Sequence, residues 1–372
     1  MSQQRFLSLD VFRGLTVACM ILVNNPGSWQ FIYPPLGHAH WHGWTPTDMV
    51  FPFFLFAVGN AMSFALKKYE ALGNAAVLQK IFKRTFLIFI IGLLLNWFPF
   101  VRWDGDNLVF KSLSNLRILG VLQRIALCYG IAALLIHYLK PKGALIAAVV
   151  LLFGYWGILL AFGQGDPYSL EGNAGLFIDK AILTENHMYR GEGVPFDPEG
   201  LLSTMTAIVN VIFGYLAGDY IQRKGKTNAT VLRLAAVGAG LIALAYLWNI
   251  WFPINKKIWT SSYVLLSVGL ALILIAILIN LIEIQNWRKG WSFFEVFGKN
   301  PLFIFVMSGV LVKVYGLIRP APGKNFYGWL YETVFQPLAG NMNGSLLFAI
   351  FHVLLFWLLG WWMDKKKIYI KV

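Results

Sequence analysis

The stretch from Leu36 to Phe56, LGHAHWHGWTPTDMVFPFFLF, sets three histidines and an aspartate directly before a phenylalanine-rich apolar run. Imidazole titrates near an unperturbed pKa of about 6.5, so one of His38, His40 and His42 could act as a general base or nucleophile close to neutral pH. Such a histidine needs an orienting polar neighbour, and Asp48 and Asn24 are the ones at hand in the chain. Composition does not choose among the three. A metal site is a second chemistry, but i, i+2, i+4 spacing converges on one ion only in an extended segment, and no CxxC or HExxH companion is present. No metal is expected. The third reading, an interfacial aromatic belt without chemistry, is preferred for His40, His42 and Trp44.

Further ionisable residues fall inside apolar runs: Asp10 and Arg13, Asp48, Arg124, Lys299 and Lys313. Each costs about 2.5 to 3.5 kcal/mol at the centre of an inserted helix, and such groups normally face a bundle interior or water. Asp10 and Arg13 stand three apart on one helical face, where a structural ion pair and a functional role are equally good readings. Arg124 follows Gln123 in LRILGVLQRIALCYG, and a guanidinium there calls for an anionic ligand or a carboxylate partner. Lys313 is read as snorkelling to the outer interface.

The elements that must position these groups are membrane helices. The chain has 372 residues, 58% hydrophobic and only 13% charged, against about a quarter charged in soluble proteins. Ten apolar segments are long enough to span: 8–26, 47–66, 82–98, 118–139, 143–162, 202–221, 230–251, 262–282, 294–316 and 345–363. Their length and uniform apolarity point to an all-α polytopic bundle and exclude barrel strands. One transmembrane domain, 1–372, is expected. No A-x-A site follows the first run, so it is expected to stay as a span.

The net charge of +14 does not point to nucleic acid once the charges are placed. Eighteen lysines and arginines lie on one alternating set of ends and connections, from Arg5 to Lys371, and nine on the other. The positive-inside rule then puts both termini in the cytoplasm and the histidine stretch outside. The polar segment 163–200 falls on that outer side and reads as a lid or substrate-binding loop. Cys19 and Cys128 sit in apolar runs, which argues against a structural disulfide. No internal repeat is visible.

Five ordered strings, LDVFRGLTVACMILVNNPG, HAHWHGWTPTDMVFPFFLFAVG, LRILGVLQRIALCYG, FDPEGLLSTMTAIVNVIFGYLAG and INKKIWTSSYVLL, resemble the heparan-α-glucosaminide N-acetyltransferase family and its bacterial relatives. The resemblance runs from Leu9 to the basic C-terminal tail and implies a multi-span membrane acyltransferase. It implies acetyl-CoA arriving from the cytoplasm and an amino-sugar or glycan acceptor of glucosamine type on the opposite side, as for heparan sulfate with a lysosomal member. A long N-terminal lumenal domain of that member is expected to be lacking. By the same resemblance His38 is the active histidine, with Asp48 closing its motif and His40 and His42 at variable positions. Asn24 matches the functional asparagine, Arg124 the arginine of G-V-L-Q-R, and Asn255, Lys256 and Trp259 the N-K-x-x-W motif. A homodimer, and for a bacterial chain the inner membrane with its catalytic face outward, are further implications.

Amine acetylation needs a base and a polarising group for the carbonyl oxygen. His38 is assigned the first role and Asn24 the second, with Gln123, Arg124, Arg13 and Lys299 expected along acetyl-CoA and Trp41, Asp10, Asn255, Lys256 and Trp259 toward the acceptor. A sugar transporter using the same polar groups as a permeation path is the competing function, and a membrane scaffold the third.

Overall fold

The computed structural model describes residues 6–70 and 73–370; Arg5 and Lys371, counted in the charge rule above, lie outside them. Its long helices are α1 (Leu7–Asn24), α2 (Val50–Glu70), α3 (Asn74–Trp97), α4 (Val121–Phe162), α6 (Leu201–Lys224), α7 (Asn228–Trp248), α8 (Ser261–Leu278) and α13 (Asn341–Lys365). Shorter ones are α5 (Ala174–Leu183), α9 (Ser292–Lys299), α10 (Pro301–Leu317), α11 (Phe326–Leu330) and α12 (Gln336–Ala339), with one hairpin, β1 (Val101–Asp104) and β2 (Asn107–Phe110). Each of the ten apolar segments lies on helix. Among the described residues, seven helices qualify as membrane spans by length and apolarity, and eight if the bent pair α9 and α10 counts as one. The other two segments are α3, with Lys80, Lys83 and Arg84 along its first half, and one limb of the 42-residue α4.

Two expected spans take a different shape. α4 is interrupted at Lys140, whose φ of 59° and ψ of 172° are non-helical, and Pro141 starts the second limb with a φ suited to a helix N-terminus. The limbs run in opposite directions: His137 bonds Asn74 at one end of the bundle, whereas Tyr155 bonds the Ile258 carbonyl at the other. Segment 294–316 is a broken helix, bent 85° between α9 and α10. Pro301 removes a donor and keeps Asn300 out of helical conformation, and Arg13 Nε donates to the Gly298 carbonyl at 2.8 Å beside the break.

α1 and α2 are antiparallel, with Phe6 against Phe64 at 6.2 Å and Phe12 against Phe53 at 6.0 Å. α2 and α6 approach through glycine: a Cβ on Gly59 would stand 1.9 Å from the Val211 carbonyl oxygen and one on Gly214 2.0 Å from that of Phe56. Small residues at such crossings let helix backbones meet without relying on hydrophobicity, which lipid does not supply. The connections form two groups bonded among themselves. Trp41 Nε1 donates to the Tyr168 carbonyl at 2.8 Å, Gly43 N to Ile254 O at 2.7 Å, Ile118 N to His187 O at 3.1 Å and Gly27 N to Ser345 O at 3.2 Å. At the other end Ser8 N meets Glu283 at 3.1 Å and Lys299 meets Asp364 at 2.8 Å. The segments that charge counting assigned to a common side therefore do share one end of the bundle.

Candidate active site

The histidine stretch is closed onto the start of α2 by one carboxylate. Asp48, 1% exposed, accepts through Oδ2 from Thr45 N at 2.9 Å and Ala39 N at 3.1 Å, while Oδ1 lies 2.7 Å from His38 Nδ1. The sequence dictates this: Thr45 and Asp48 form a capping box around Pro46 at the first helical position. Thr45 Oγ1 donates to Gly37 O at 2.6 Å and the Tyr263 hydroxyl to Asp48 O at 2.5 Å, fixing both flanks. The His38 side chain, at the rim of this turn, is 41% exposed.

The N-K-x-x-W segment packs against the same turn. Asn255 is fully buried and structural: its Oδ1 accepts from Ile258 N at 3.1 Å and its N–H donates to Thr260 Oγ1 at 3.0 Å. The turn it builds puts Trp259 at φ 50°, a left-handed conformation uncommon for a bulky side chain, and Trp259 Nε1 donates to Asn210 Oδ1 at 3.1 Å. Lys256 Nζ lies 3.0 Å from His38 Nδ1 and 3.4 Å from Asp48 Oδ1. An ammonium only donates and a carboxylate only accepts, so Nδ1 serves one of them. The shorter contact assigns an Nδ1 proton to Asp48, leaves Nε2 with its lone pair, and gives Lys256 the carboxylate as acceptor. Burial pulls the Lys256 ammonium below the ordinary lysine range, against the pull of Asp48.

His38, Asp48, Lys256 and Trp259 line a cavity of about 230 Å³. Its other wall comes from the 163–200 segment, which supplies Tyr189, Glu192 and Glu199. This segment has its own small core, with Leu176, Leu183, Met188 and Phe196 against Leu119 and Ile258 and with Trp41 packed beside them. Arg117 ties it down by bonds of 2.7 Å to Asp197 and 2.5 Å to Glu199, stacking on Tyr189 at 4.7 Å, and Lys257 pairs with Glu192 at 2.5 Å. The arrangement offers aromatic faces and carboxylates to a polar ring bearing an amine.

Behind Trp259 lies Arg124, fully buried, its guanidinium 4.9 Å from the indole centre. One nitrogen donates to Gly200 O at 3.0 Å and to Ser203 Oγ, whereas Nε and Nη1 find no partner among the described residues. Both amide atoms of buried Gln123 are equally without partners. Orphaned donors of this kind suit the amide or thioester oxygens of a pantetheine arm. Asp179, on α5, accepts from Leu201 N at 2.9 Å at the start of α6. Burial pushes its carboxyl up to about 7, helped by Asp197 and opposed by Arg124.

Of the residues singled out in sequence, His38, Asp48, Trp41, Lys256 and Trp259 line one cavity and Arg124 abuts it. Asn24 is exposed at the last residue of α1 and does not line it, nor do His40 and His42. Asp10, Arg13 and Lys299 belong to the opposite end: Arg13 pairs with Asp10 at 2.7 Å, and Lys299 with Glu295 at 3.2 Å and Asp364 at 2.8 Å. Arg117, Tyr189, Glu192, Glu199 and Lys257 were not singled out. Arg117, Asp197 and Glu199 do lie within two of the five strings that carry the resemblance, whereas Tyr189 and Glu192 join only through folding. Among the described residues no group of three or more His, Cys, Asp or Glu is placed to hold a metal.

Comparison with known proteins agrees with the motif reading. The family model described as heparan-alpha-glucosaminide N-acetyltransferase, catalytic, matches residues 5–166, which include His38, Asp48, Gln123 and Arg124. Heparan-alpha-glucosaminide N-acetyltransferase of Mus musculus is 28% identical over 374 residues, covering 84% of this chain and 55% of its own length. The Homo sapiens protein of that name is 28% identical over 362 residues, 81% of this chain and 52% of its own. The chain thus spans about half the length of the curated relatives it matches.

Proposed function

We propose that this chain, a relative of the heparan-alpha-glucosaminide N-acetyltransferases, is a membrane acetyltransferase that moves acetyl from acetyl-CoA to the amine of a glucosamine-type sugar. The observation that carries the reading is the Asp48–His38 pair at the edge of a cavity walled by Trp41, Tyr189, Glu192 and Glu199. Asp48 holds the Nδ1–H tautomer, so Nε2 takes the proton of the acceptor ammonium. The freed amine attacks the thioester carbonyl, a C–N bond forms and the C–S bond breaks; the imidazolium returns its proton to the departing thiolate, and the second proton of the attacking nitrogen leaves to water as the neutral amide forms.

Lys256, beside His38, meets the oxyanion that develops on the carbonyl; Asn24, exposed and off the cavity, is less well placed. Arg124 and Gln123 receive the thioester end of the donor. Arg13 and Lys299 stand at the opposite mouth of the bundle, where they guide the donor's phosphates despite their carboxylate partners. With acetyl-CoA entering there from the cytoplasm, the cavity faces outward, in the inner membrane for a bacterial chain, and a homodimer is the assembly.

The test is purified protein in liposomes with acetyl-CoA on one side and glucosamine on the other. Wild type should yield N-acetylated product, and His38→Ala should lower the rate by about 100- to 10,000-fold, the usual contribution of a general base. Glucosamine flux without acetylated product would instead indicate a transporter. Rapid quench with labelled acetyl-CoA separates direct transfer from a relay in which His38 is first acetylated, since only the relay leaves label on protein.

A further inference from the structure

A second cavity, of about 540 Å³, opens at the same end of the bundle, between the hairpin β1–β2 and the end of α10. Arg102, Lys111, Lys313, Arg319 and Lys324 line it, and no acidic residue does among the described residues. It is not part of the His38 cavity. Asn96 links a lining residue of each: its side chain donates to Arg117 O at 2.9 Å, while its own carbonyl lies 3.4 Å from Lys313 Nζ.

The five cations are not equally engaged. Lys313 caps the end of α3 through the carbonyls of Leu95, Asn96 and Phe98, and Lys324 pairs with Glu332. Arg319 lies 4.3 Å over Trp103 and donates to Gly105 O at 2.8 Å, and Lys111 Nζ reaches Phe98 O at 3.4 Å. Among the described residues, Glu332 beside Lys324 is the only carboxylate within ion-pair distance of any of the five. Burial and the neighbouring Arg102 charge hold Lys111 below the ordinary lysine range, a crowding that an anion would relieve.

The surroundings identify the anion's carrier. The cavity sits where the apolar helices α3 and α10 end, and exposed Leu108, Phe110 and Leu113 stand beside it, Phe110 at 84% exposure. Apolar side chains left bare beside a cationic pocket match the boundary between acyl chains and headgroups. We propose that this cavity seats the phosphate of an anionic phospholipid of the phosphatidylglycerol type, with the hairpin's apolar side chains against its acyl chains. The proposal does not rest on the acetyltransferase reading.

Native mass spectrometry of the detergent-purified, delipidated protein tests it by titration with phosphatidylglycerol, phosphatidylcholine or inorganic phosphate. Wild type should retain phosphatidylglycerol at least tenfold better than phosphatidylcholine. Arg102→Gln with Lys111→Gln should remove that preference, while Lys366→Gln with Lys367→Gln, exposed at the other end of the bundle, should keep it. Equal retention of both lipids, or an unchanged preference in the Arg102 and Lys111 variant, overturns the proposal. So does displacement of the lipid by millimolar inorganic phosphate, which would mark a site for free oxyanions. Circular dichroism of each variant establishes that it is folded before its binding is read.

Discussion

Asp48 serves two purposes with one carboxylate: Oδ2 closes the turn that starts α2 and Oδ1 sets the tautomer of His38. Asp48→Asn separates them. An asparagine oxygen still accepts from Thr45 and Ala39, but its amide donates toward Nδ1 and moves the ring proton to Nε2. The thermal midpoint should change by only a few degrees while kcat falls about 100-fold or more, approaching His38→Ala. Lys256 makes a pH prediction. Its ammonium loses a proton at lower pH than an ordinary lysine, so the alkaline limb of kcat should lie low and move to higher pH in Lys256→Arg, whose charge persists. Asp179 bears on stability. Its folded pKa of about 7 exceeds the carboxylate value of an unfolded chain, so the folded state holds the extra proton. Stability should fall as pH rises from about 4 to about 7 and then level off; Asp179→Asn should flatten that slope in thermal scans. His38 and Asp48 were legible because one short motif contains both. Glu192 and Tyr189 were not, since nothing local distinguishes them from other polar loop residues, and Asp179 announces itself only by its burial.

Among the elements, the crossing of α2 and α6 carries the start of α2, and with it Asp48, against the segment that leads into Ser203 and Arg124's partners. Neither backbone can retreat where Gly59 and Gly214 meet carbonyls. Gly214→Ala should destabilise by about 1 to 3 kcal/mol, typical of overpacking, and should lower the yield of folded protein in detergent more than it changes KM. The 163–200 segment behaves as an element in its own right, folded around Leu176, Met188 and Phe196. Its length and polarity marked it as a substrate-binding loop, but its core alternates with no period that a sequence window would report. The break between α9 and α10 was missed for another reason: apolarity continues across Asn300 and Pro301, and hydropathy does not register a lost donor.

For the whole molecule, charge counting sorted the connections into two sets that the structure gathers at opposite ends, because orientation is written in lysine and arginine and not in packing. A membrane measurement follows from it. Gln164→Cys, at the His38 end, and Lys289→Cys, at the other, should react with impermeant maleimide from opposite sides of sealed vesicles, with Cys19 and Cys128 replaced by serine. Reaction of both from one side would overturn the shared-end arrangement. The reversal of α4 at Lys140 and Pro141 bears on biosynthesis. With a single non-helical residue between its limbs, no loop exists for a ribosome and translocon to handle separately. The two limbs should therefore insert as one helical hairpin, with Lys140 and Lys142 at its tip biasing the side on which that tip is held. Moving those charges, or inserting a few residues between the limbs, should change how the nascent chain is threaded well before it alters anything in the finished protein.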